Sequence, residues 1–468
     1  MNKRIYNLVW NRALGQIVVV SELASCNRGG GAACGTAARR LGKLALALML
    51  ALAVPLAFAA VPPGQTDCSG ATATGGSSLA CGNGAAAGGY AAIAIGYHAV
   101  ASGNSSIAFG AGSAASGNYS IALGAGSAAS GNYSIALGDN SATSGLGSNA
   151  LGVNSNASGD YSDSIGIDSV ASGKGSIALG AISKASGNYS SAVGIGSAAT
   201  GKGSGALGAL SKAGGDNSSA VGYKAEASGT SSSAFGATAQ ATNTDTTALG
   251  QNSYASGLQS TSTGYKAQAT GDYSSALGAG SVASATASSA VGHNAVASGK
   301  FSSVLGAYSH ASGVGSSAFG KASNASGGTS SALGADSTAS GVDSSALGAF
   351  STANGDAGSA LGADSKASGY ASSALGFASN ASGYASSALG FTSNASGYAS
   401  NALGNHAAAS GDSSNALGDH AVASGDDGNA RGAGSAASGR GSSALGAVST
   451  ARGETSVAIG YPSSASGA

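Results

Sequence analysis

The sequence has little charge, little aromatic surface and almost no proline. Of its 468 residues, 8% are charged, 5% are aromatic and 4 are Pro, whereas 81 are Gly. Collagen would need Gly at every third position and abundant Pro, so this composition excludes it. Disordered chains usually carry high charge or much Pro, and an enzyme core needs more large apolar side chains than this chain has. These absences leave a repetitive β architecture.

Charge is unevenly distributed along the chain, although the formal net charge is zero. The first 60 residues contain more basic than acidic residues. The rest of the chain is therefore acidic overall. No basic patch with interleaved aromatic residues occurs in that remainder. Nucleic acid is therefore not an expected partner.

The N-terminus reads as an export signal. Residues 25–59 contain a basic stretch followed by an apolar run over 44–58, which is shorter than the ~20 residues needed to span a bilayer. The small residues Ala57 and Ala59 predict cleavage near Ala60. Ahead of it, the elements Val9-Trp10-Asn11 and Val20-Ser21-Glu22-Leu23 make residues 1–24 resemble the extended signal peptide region of Gram-negative autotransporters. That resemblance implies export beyond the inner membrane.

Two of the four cysteines are expected to pair. Cys26 and Cys34 leave with the signal peptide, whereas Cys68 and Cys81 stay in an oxidising compartment. Their spacing is one repeat minus one residue, which brings them within bridging distance on successive coils. We predict an intrachain disulfide. No metal site is expected at this pair, because no His ligands lie nearby.

A fourteen-residue repeat fills the rest of the chain. Gly recurs at every fourteenth position from Gly96 to Gly460, and a second Gly follows seven residues later, except at Asn243 and Ala285. Glycine at these positions predicts turns or a close approach of another chain. Representative turn glycines are Gly96, Gly110, Gly124 and Gly138 in the first series and Gly103 and Gly117 in the second.

Side chains between the glycines alternate with the period of two that is typical of strands. In Ile121-Ala122-Leu123, residues 121 and 123 share one face and Ala122 takes the other. Stacked coils of two short strands and two turns would form an all-β parallel roll, or solenoid. We expect the large apolar residue to form the buried row, with weak points at Thr263 and Arg431. Representative members of this row are Leu123, Leu137, Leu375 and Leu389.

Such a row buries little apolar surface per coil, whereas ordering fourteen residues costs much conformational entropy. A single chain is therefore expected to be only marginally stable. We therefore expect oligomerisation, with rows of Ala and Gly as the flat docking face.

The repeat also resembles a known family. The unit Ser106-Ile107-Ala108-Phe109-Gly110, followed by Ser113, is similar to the YadA-like head repeat of trimeric autotransporter adhesins. The resemblance implies a left-handed roll, a homotrimer, and a head at the tip of a surface fibre that binds host matrix, cells or abiotic surfaces. The family's neck, stalk and membrane anchor are not recognised in this sequence. We therefore expect the 468-residue product alone to be periplasmic or released.

The expected organisation has four segments. An extended signal peptide region over 1–24 precedes the signal n- and h-regions over 25–59. An N-terminal cap or linker with a degenerate first repeat follows over 60–89, and head repeats occupy 90–468.

No catalytic, cofactor or metal site is predicted. His406 and His420 are fourteen residues apart and should stack as a solvated ladder, and no Glu neighbours any of the five His. No Lys after Gly is followed by the Ser or Thr of a phosphate-binding loop. The Asp residues are scattered, unlike those of calcium-binding repeats or of a glycoside hydrolase. Regular Thr rows of an ice-binding solenoid are also missing. We therefore expect a non-enzymatic protein without a cofactor.

The candidate ligand contacts are aromatic, and each set should form a vertical ladder. The two ladders occupy positions of the repeat that lie half a repeat apart. Exposed aromatic ladders can bind proteins or sugars, but self-stacking that stiffens neighbouring coils is the favoured interpretation. The two sets are Tyr370, Tyr384 and Tyr398, and Phe377 and Phe391.

Overall fold

The computed structural model describes residues 6–11, 16–21 and 65–467. Within these ranges the regular elements are β-strands. No helix among them is long and apolar enough to cross a membrane. The signal regions expected over 25–59, the cleavage site, and Cys26 and Cys34 lie outside the described residues.

The chain divides into two units, Met1–Pro62 and Pro63–Ala468. In the first unit, strands β1 (Tyr6–Asn11) and β2 (Gln16–Ser21) pair antiparallel, with Tyr6 opposite Ser21 and Asn11 opposite Gln16. The described part of this unit is therefore a β-hairpin.

The second unit is a stack of coils, each with one long and one short strand. The long strands begin with Gln65–Asp67, Ser78–Cys81 and Ile93–Ile95, and recur every fourteen residues to Val457–Ile459. The short strands recur in the same way from Thr72–Ala73 to Ser464–Ala465. The expected all-β parallel solenoid is confirmed.

Each strand pairs in parallel with the equivalent strands of the coils before and after it. Ala122 lies between Ala108 and Ala136 in the long-strand ladder, and Ala128 lies between Ala114 and Ala142 in the short-strand ladder. The shift is fourteen residues throughout, except in the first pair, where Gln65 lies opposite Ser78. Equivalent residues of every repeat therefore form columns along the stack.

Most coils carry the same Gly-x-x-Ser element in both turns, and Ala or Gly takes the place of Ser in the others. The Ser127 hydroxyl donates to the Gly124 carbonyl over 2.9 Å, and in the other turn the Ser134 hydroxyl donates to the Gly131 carbonyl over 2.7 Å. Where Gly is replaced, the element persists, because Thr246 and Ser288 donate to the carbonyls of Asn243 and Ala285 over 2.7 Å each. The backbone N–H of the same residue also reaches that carbonyl in some of these turns, as the Ser127 N–H does over 3.4 Å. The carbonyl thus gives the buried hydroxyl a local hydrogen-bond partner.

Both glycine series lie against the next coil, and the first series also has a positive φ. A Cβ on Gly124 would meet the carbonyl oxygen of Gly138. Gly124 adopts φ +138°, which disfavours a side chain. A Cβ on Gly131 would overlap the carbonyl oxygen of Gly145 in the next coil, and φ there is not positive. The close approach is therefore to the next coil of the same chain, and not to another chain as the sequence predicted.

The predicted core row is wrong. The side chains of Leu123 and Leu375 are 39% and 41% exposed, and those of Leu137 and Leu389 are exposed to the same extent. Ala122, by contrast, is fully buried. The interior lies between two strands joined by tight turns and is filled by Ala and Ser, the largest fully buried side chain being Val304. A Leu side chain is too large for this space, so the alternation places Ala inside and Leu outside.

Two further expectations change with the core. Thr263 and Arg431 are members of the outer face, half-buried and exposed respectively, so neither weakens the interior. The Ala rows predicted as a docking face are mostly buried inside the coil. The surface available for docking is therefore formed by the large apolar residues.

Candidate functional site

The main surface feature is an apolar column on the long-strand ladder, here called the outer apolar row. It occupies the residue before each turn glycine of the first series, and parallel register places its members one coil apart, about 4.8 Å. Leu123 lies directly opposite Leu137, and Leu375 directly opposite Leu389. The row comprises Phe109, Leu123, Leu137 and each fourteenth residue onward to Ile459.

The outer apolar row is nearly continuous. Its interruptions are Thr263, between Leu249 and Leu277, and Arg431, between Leu417 and Leu445. Scattered exposed apolar side chains are ordinary on protein surfaces, but a contiguous apolar stripe marks an interaction surface.

The predicted Tyr ladder forms as expected. The rings of Tyr370 and Tyr384 stack with centroids 5.1 Å apart and an interplanar angle of 13°, and those of Tyr384 and Tyr398 stack at 5.1 Å and 6°. About half of each side chain stays exposed. The ladder thus presents ring edges and hydroxyl groups to solvent while its faces are occupied by one another.

The Phe ladder continues into a pair of histidines. Phe377 and Phe391 stack with centroids 5.3 Å apart, and His406 meets Phe391 edge-on at 5.5 Å. His406 and His420 then lie 4.8 Å apart, tilted by 32°. The His406 Nδ1 atom is also 2.5 Å from the Thr392 hydroxyl.

An acidic residue flanks this histidine pair. Asp419 Oδ1 lies 3.1 Å from His420 Nδ1, and this hydrogen bond lowers the pKa of the Asp419 carboxyl. Both groups are exposed to solvent. Among residues 65–467, no group of three or more His, Cys, Asp or Glu is arranged to hold a metal ion.

The Tyr and Phe ladders do not form one site. Tyr384 lies in the turn that precedes the long strand, and Phe377 lies in the turn that follows it. The two turns are opposite edges of the flattened coil, so each ladder must act on its own edge.

Sequence reasoning missed a second aromatic stack. Tyr119 and Tyr133 are 5.1 Å apart and nearly coplanar, with an interplanar angle of 3°. Their fourteen-residue spacing was the available signal. This pair stands at a neighbouring position of the same turn as the Tyr ladder, near the other end of the stack.

The structure joins Cys68 and Cys81 in a disulfide, with Cα atoms 4.6 Å apart. Cys81 lies opposite Ile95 in the long-strand ladder, and the Cys68 N–H donates to the Ala80 carbonyl over 3.0 Å. The bridge therefore links the first two long strands on their outer face.

Comparisons with known proteins point to one family. A model described as the extended signal peptide of the type V secretion system matches residues 1–52. A model described as the YadA head domain repeat matches in fifteen segments that begin at residue 87 and reach residue 468. No curated protein sequence matches.

One solved structure similar to this chain is the crystal structure of the collagen-binding domain of the Yersinia adhesin YadA. The two are 30% identical over 33% of this chain and 69% of that chain, with a TM-score of 0.21.

Proposed function

Because the chain belongs to the family of the YadA head domain repeat, we propose that it forms a homotrimeric adhesin head packed through the outer apolar row. Family membership makes the chain the head region of a surface adhesin. The extended signal peptide of type V secretion marks it for export. The proposed role is binding and structural rather than catalytic.

The observation that carries the trimer proposal is the exposure of the outer apolar row. Covering a Leu that is 40% exposed contributes about 1 kcal/mol, and the row repeats this contribution at almost every coil. A straight column on one ladder suits parallel copies around a common axis, because equivalent residues then meet at the same height. Ala-filled coils gain little from their own interiors, so the row supplies stability that one chain lacks.

A matched pair of double variants tests this packing. Leu123→Asp with Leu403→Asp places two distant charges in the row, whereas Val100→Asp with Val422→Asp places two distant charges on the short-strand ladder. The replaced side chains are similarly exposed, at 39% and 40% against 40% and 40%. Sedimentation velocity of the exported protein should show trimers for the unmodified chain and the Val variant, and loss of trimer for the Leu variant.

Two results would overturn the trimer proposal. One is a stable, folded monomer of the unmodified protein at micromolar concentration. The other is an equal loss of association in both double variants, because the row would then have no special part in packing.

The proposed ligand class is extracellular matrix protein, with other cell-surface molecules or abiotic surfaces as alternatives. Collagen is the first candidate to measure, because the similar Yersinia domain is a collagen-binding domain. The proposed contacts are the side chains of the Tyr and Phe ladders, which stay half-exposed at the two edges of the coil. Surface labelling of intact cells determines whether the product alone is displayed, periplasmic or released.

A further inference from the structure

The outer apolar row repeats almost the same contact at every coil, so it does not by itself fix how far one copy is shifted along another. Leu347, Leu361 and Leu375 follow one another in the long-strand ladder, and each is 41% exposed. A copy shifted by one coil, about 4.8 Å, would bring equivalent side chains together again. Register is weakly specified where a pattern is uniform. A coil that differs from its neighbours is therefore needed to define the register.

The long-strand face has an apolar hollow of about 290 Å³ around Gly205. Gly205 occupies the first, outward-facing position of its long strand and lies between Ser191 and Ser219 in the ladder. A Cβ on Gly205 would meet no atom within 4 Å. Between residues 93 and 457, each of the remaining first positions carries a side chain. The larger side chains that line the hollow are Val193, Leu207, Val221 and Phe235.

The same coil also carries a projection. Leu207 ends the strand Gly205–Leu207, belongs to the outer apolar row and is 51% exposed. Its neighbours in the row, Val193 and Val221, have shorter side chains and are half-buried. Leu207 therefore stands out between them, two residues from Gly205. One coil thus combines a recess at its first strand position with a projection at its third.

A ring of parallel copies brings these two features together. In a closed ring each contact joins two different patches of the same surface, so the third position of one copy packs against the first position of the next. With the copies in register, Leu207 of one copy lies at the height of Gly205 of the next. A shift by one coil would place Leu207 against Ser191 or Ser219 instead. The shifted arrangement is less favourable, because the unfilled apolar hollow loses packing contacts.

We propose that Leu207 of each copy fills the hollow at Gly205 of the next copy, and that this contact fixes the axial register of the trimer. The inference rests on the proposed trimer and assigns a specific part to one of its coils. The occupant of the hollow is a second copy of this chain. Leu207 belongs both to the outer apolar row and to the wall of the hollow, so the hollow is continuous with the proposed interface. Its Val, Leu and Phe lining suits an aliphatic side chain.

The test exchanges large and small side chains within one coil. Gly205→Leu fills the hollow, whereas Gly205→Leu with Leu207→Ala moves the projection to the first position and opens space at the third. Gly205→Leu with Val221→Ala is the matched control, since Val221 lines the same hollow one coil away. A methyl group at residue 205 would leave most of the hollow open, so Leu is used rather than Ala.

Subunit exchange between donor-labelled and acceptor-labelled trimers of the exported full chain measures the strength of the interface. Gly205→Leu should exchange subunits about tenfold faster than the unmodified protein, because its new side chain meets Leu207 of the next copy. Adding Leu207→Ala should bring the rate back to within about threefold of the unmodified protein, whereas adding Val221→Ala should not. Circular dichroism should be the same for all four proteins, since the replaced residues face outward.

Three results would overturn the inference. An unchanged exchange rate in Gly205→Leu would mean that nothing from another copy fills the hollow. Equal recovery with Val221→Ala would mean that the copies are not held at the same height. Recovery in neither double variant would point to another occupant, such as a small apolar ligand. Each of these results in an intact trimer refutes the register contact alone, whereas a monomeric unmodified chain refutes the proposed trimer and this inference with it.

Discussion

The backbone N–H of Tyr398 donates a hydrogen bond of 2.9 Å to Oδ1 of Asp412, fourteen residues later in the next coil. The same bond joins Val342 to Asp356 and Leu258 to Asp272, each over 2.8 Å. Asp or Asn at this turn position therefore satisfies an N–H that strand pairing leaves free.

Removing this bond should have a measurable cost. Asp412→Ala is expected to destabilise the stack by about 1 kcal/mol, because the N–H of Tyr398 loses a charged acceptor. Asp412→Asn keeps an acceptor oxygen and should lose less than half as much. Thermal unfolding followed by circular dichroism measures both. Identical losses in the two variants would show that the side-chain oxygen is not what matters.

The glycine that faces the next coil should tolerate a side chain poorly; Asn243 and Ala285, which replace it in two coils, are half-buried, whereas Gly131 is buried. Gly131→Ala places a methyl group on the Gly145 carbonyl, so we expect destabilisation of about 1–3 kcal/mol. Gly205→Ala is the matched control, because nothing lies within 4 Å of its Cβ position and its φ is not positive. This control should be neutral or slightly stabilising. A Gly131→Ala protein as stable as the control would contradict the close approach between coils.

The narrow interior predicts a strong difference between neighbouring residues. Ala374→Leu should destabilise the chain by about 1–3 kcal/mol through overpacking, since Ala374 is 1% exposed. Ser373→Leu should stay within about 0.5 kcal/mol, because residue 373 faces outward, where earlier coils carry Ile121. Denaturant unfolding of both variants is the measurement. The reverse order would mean that the two faces of the strand are assigned wrongly.

The disulfide should protect the first coils. Loss of the bridge in Cys68→Ser with Cys81→Ser is expected to cost about 2–3 kcal/mol in the chain-entropy account. Hydrogen exchange should then accelerate over residues 65–95 and stay unchanged beyond about residue 120, because each coil contacts only its neighbours. Titration of the oxidised, exported protein should find no free thiol at either position; free thiols would count against the pairing.

A ligand-binding role of the Tyr ladder can be distinguished from a purely structural role. Tyr384→Ser with Tyr398→Ser should weaken collagen binding about tenfold if these rings contact the ligand. Tyr119→Ser with Tyr133→Ser removes an equivalent stacked pair and serves as the control. Both variants should lose similar stability, about 1 kcal/mol. Unchanged binding in the first variant would assign its ladder to stiffening alone.

The sequence by itself determined the period, the parallel register and the position of both turns. The Gly124 and Gly131 positions recur every fourteen residues without an insertion, so the turns fall at the same place in every coil. The columns of Tyr384 and Tyr398 follow from that register, as does the proximity of Cys68 to Cys81.

Only the tertiary structure decided which face of the long strand lies inside. The alternation of Ala122 and Leu123 is the same for either assignment, and hydrophobicity alone favours burying Leu. The width of the coil reverses this choice, because two strands joined by tight turns leave room for Ala and Ser but not for Leu.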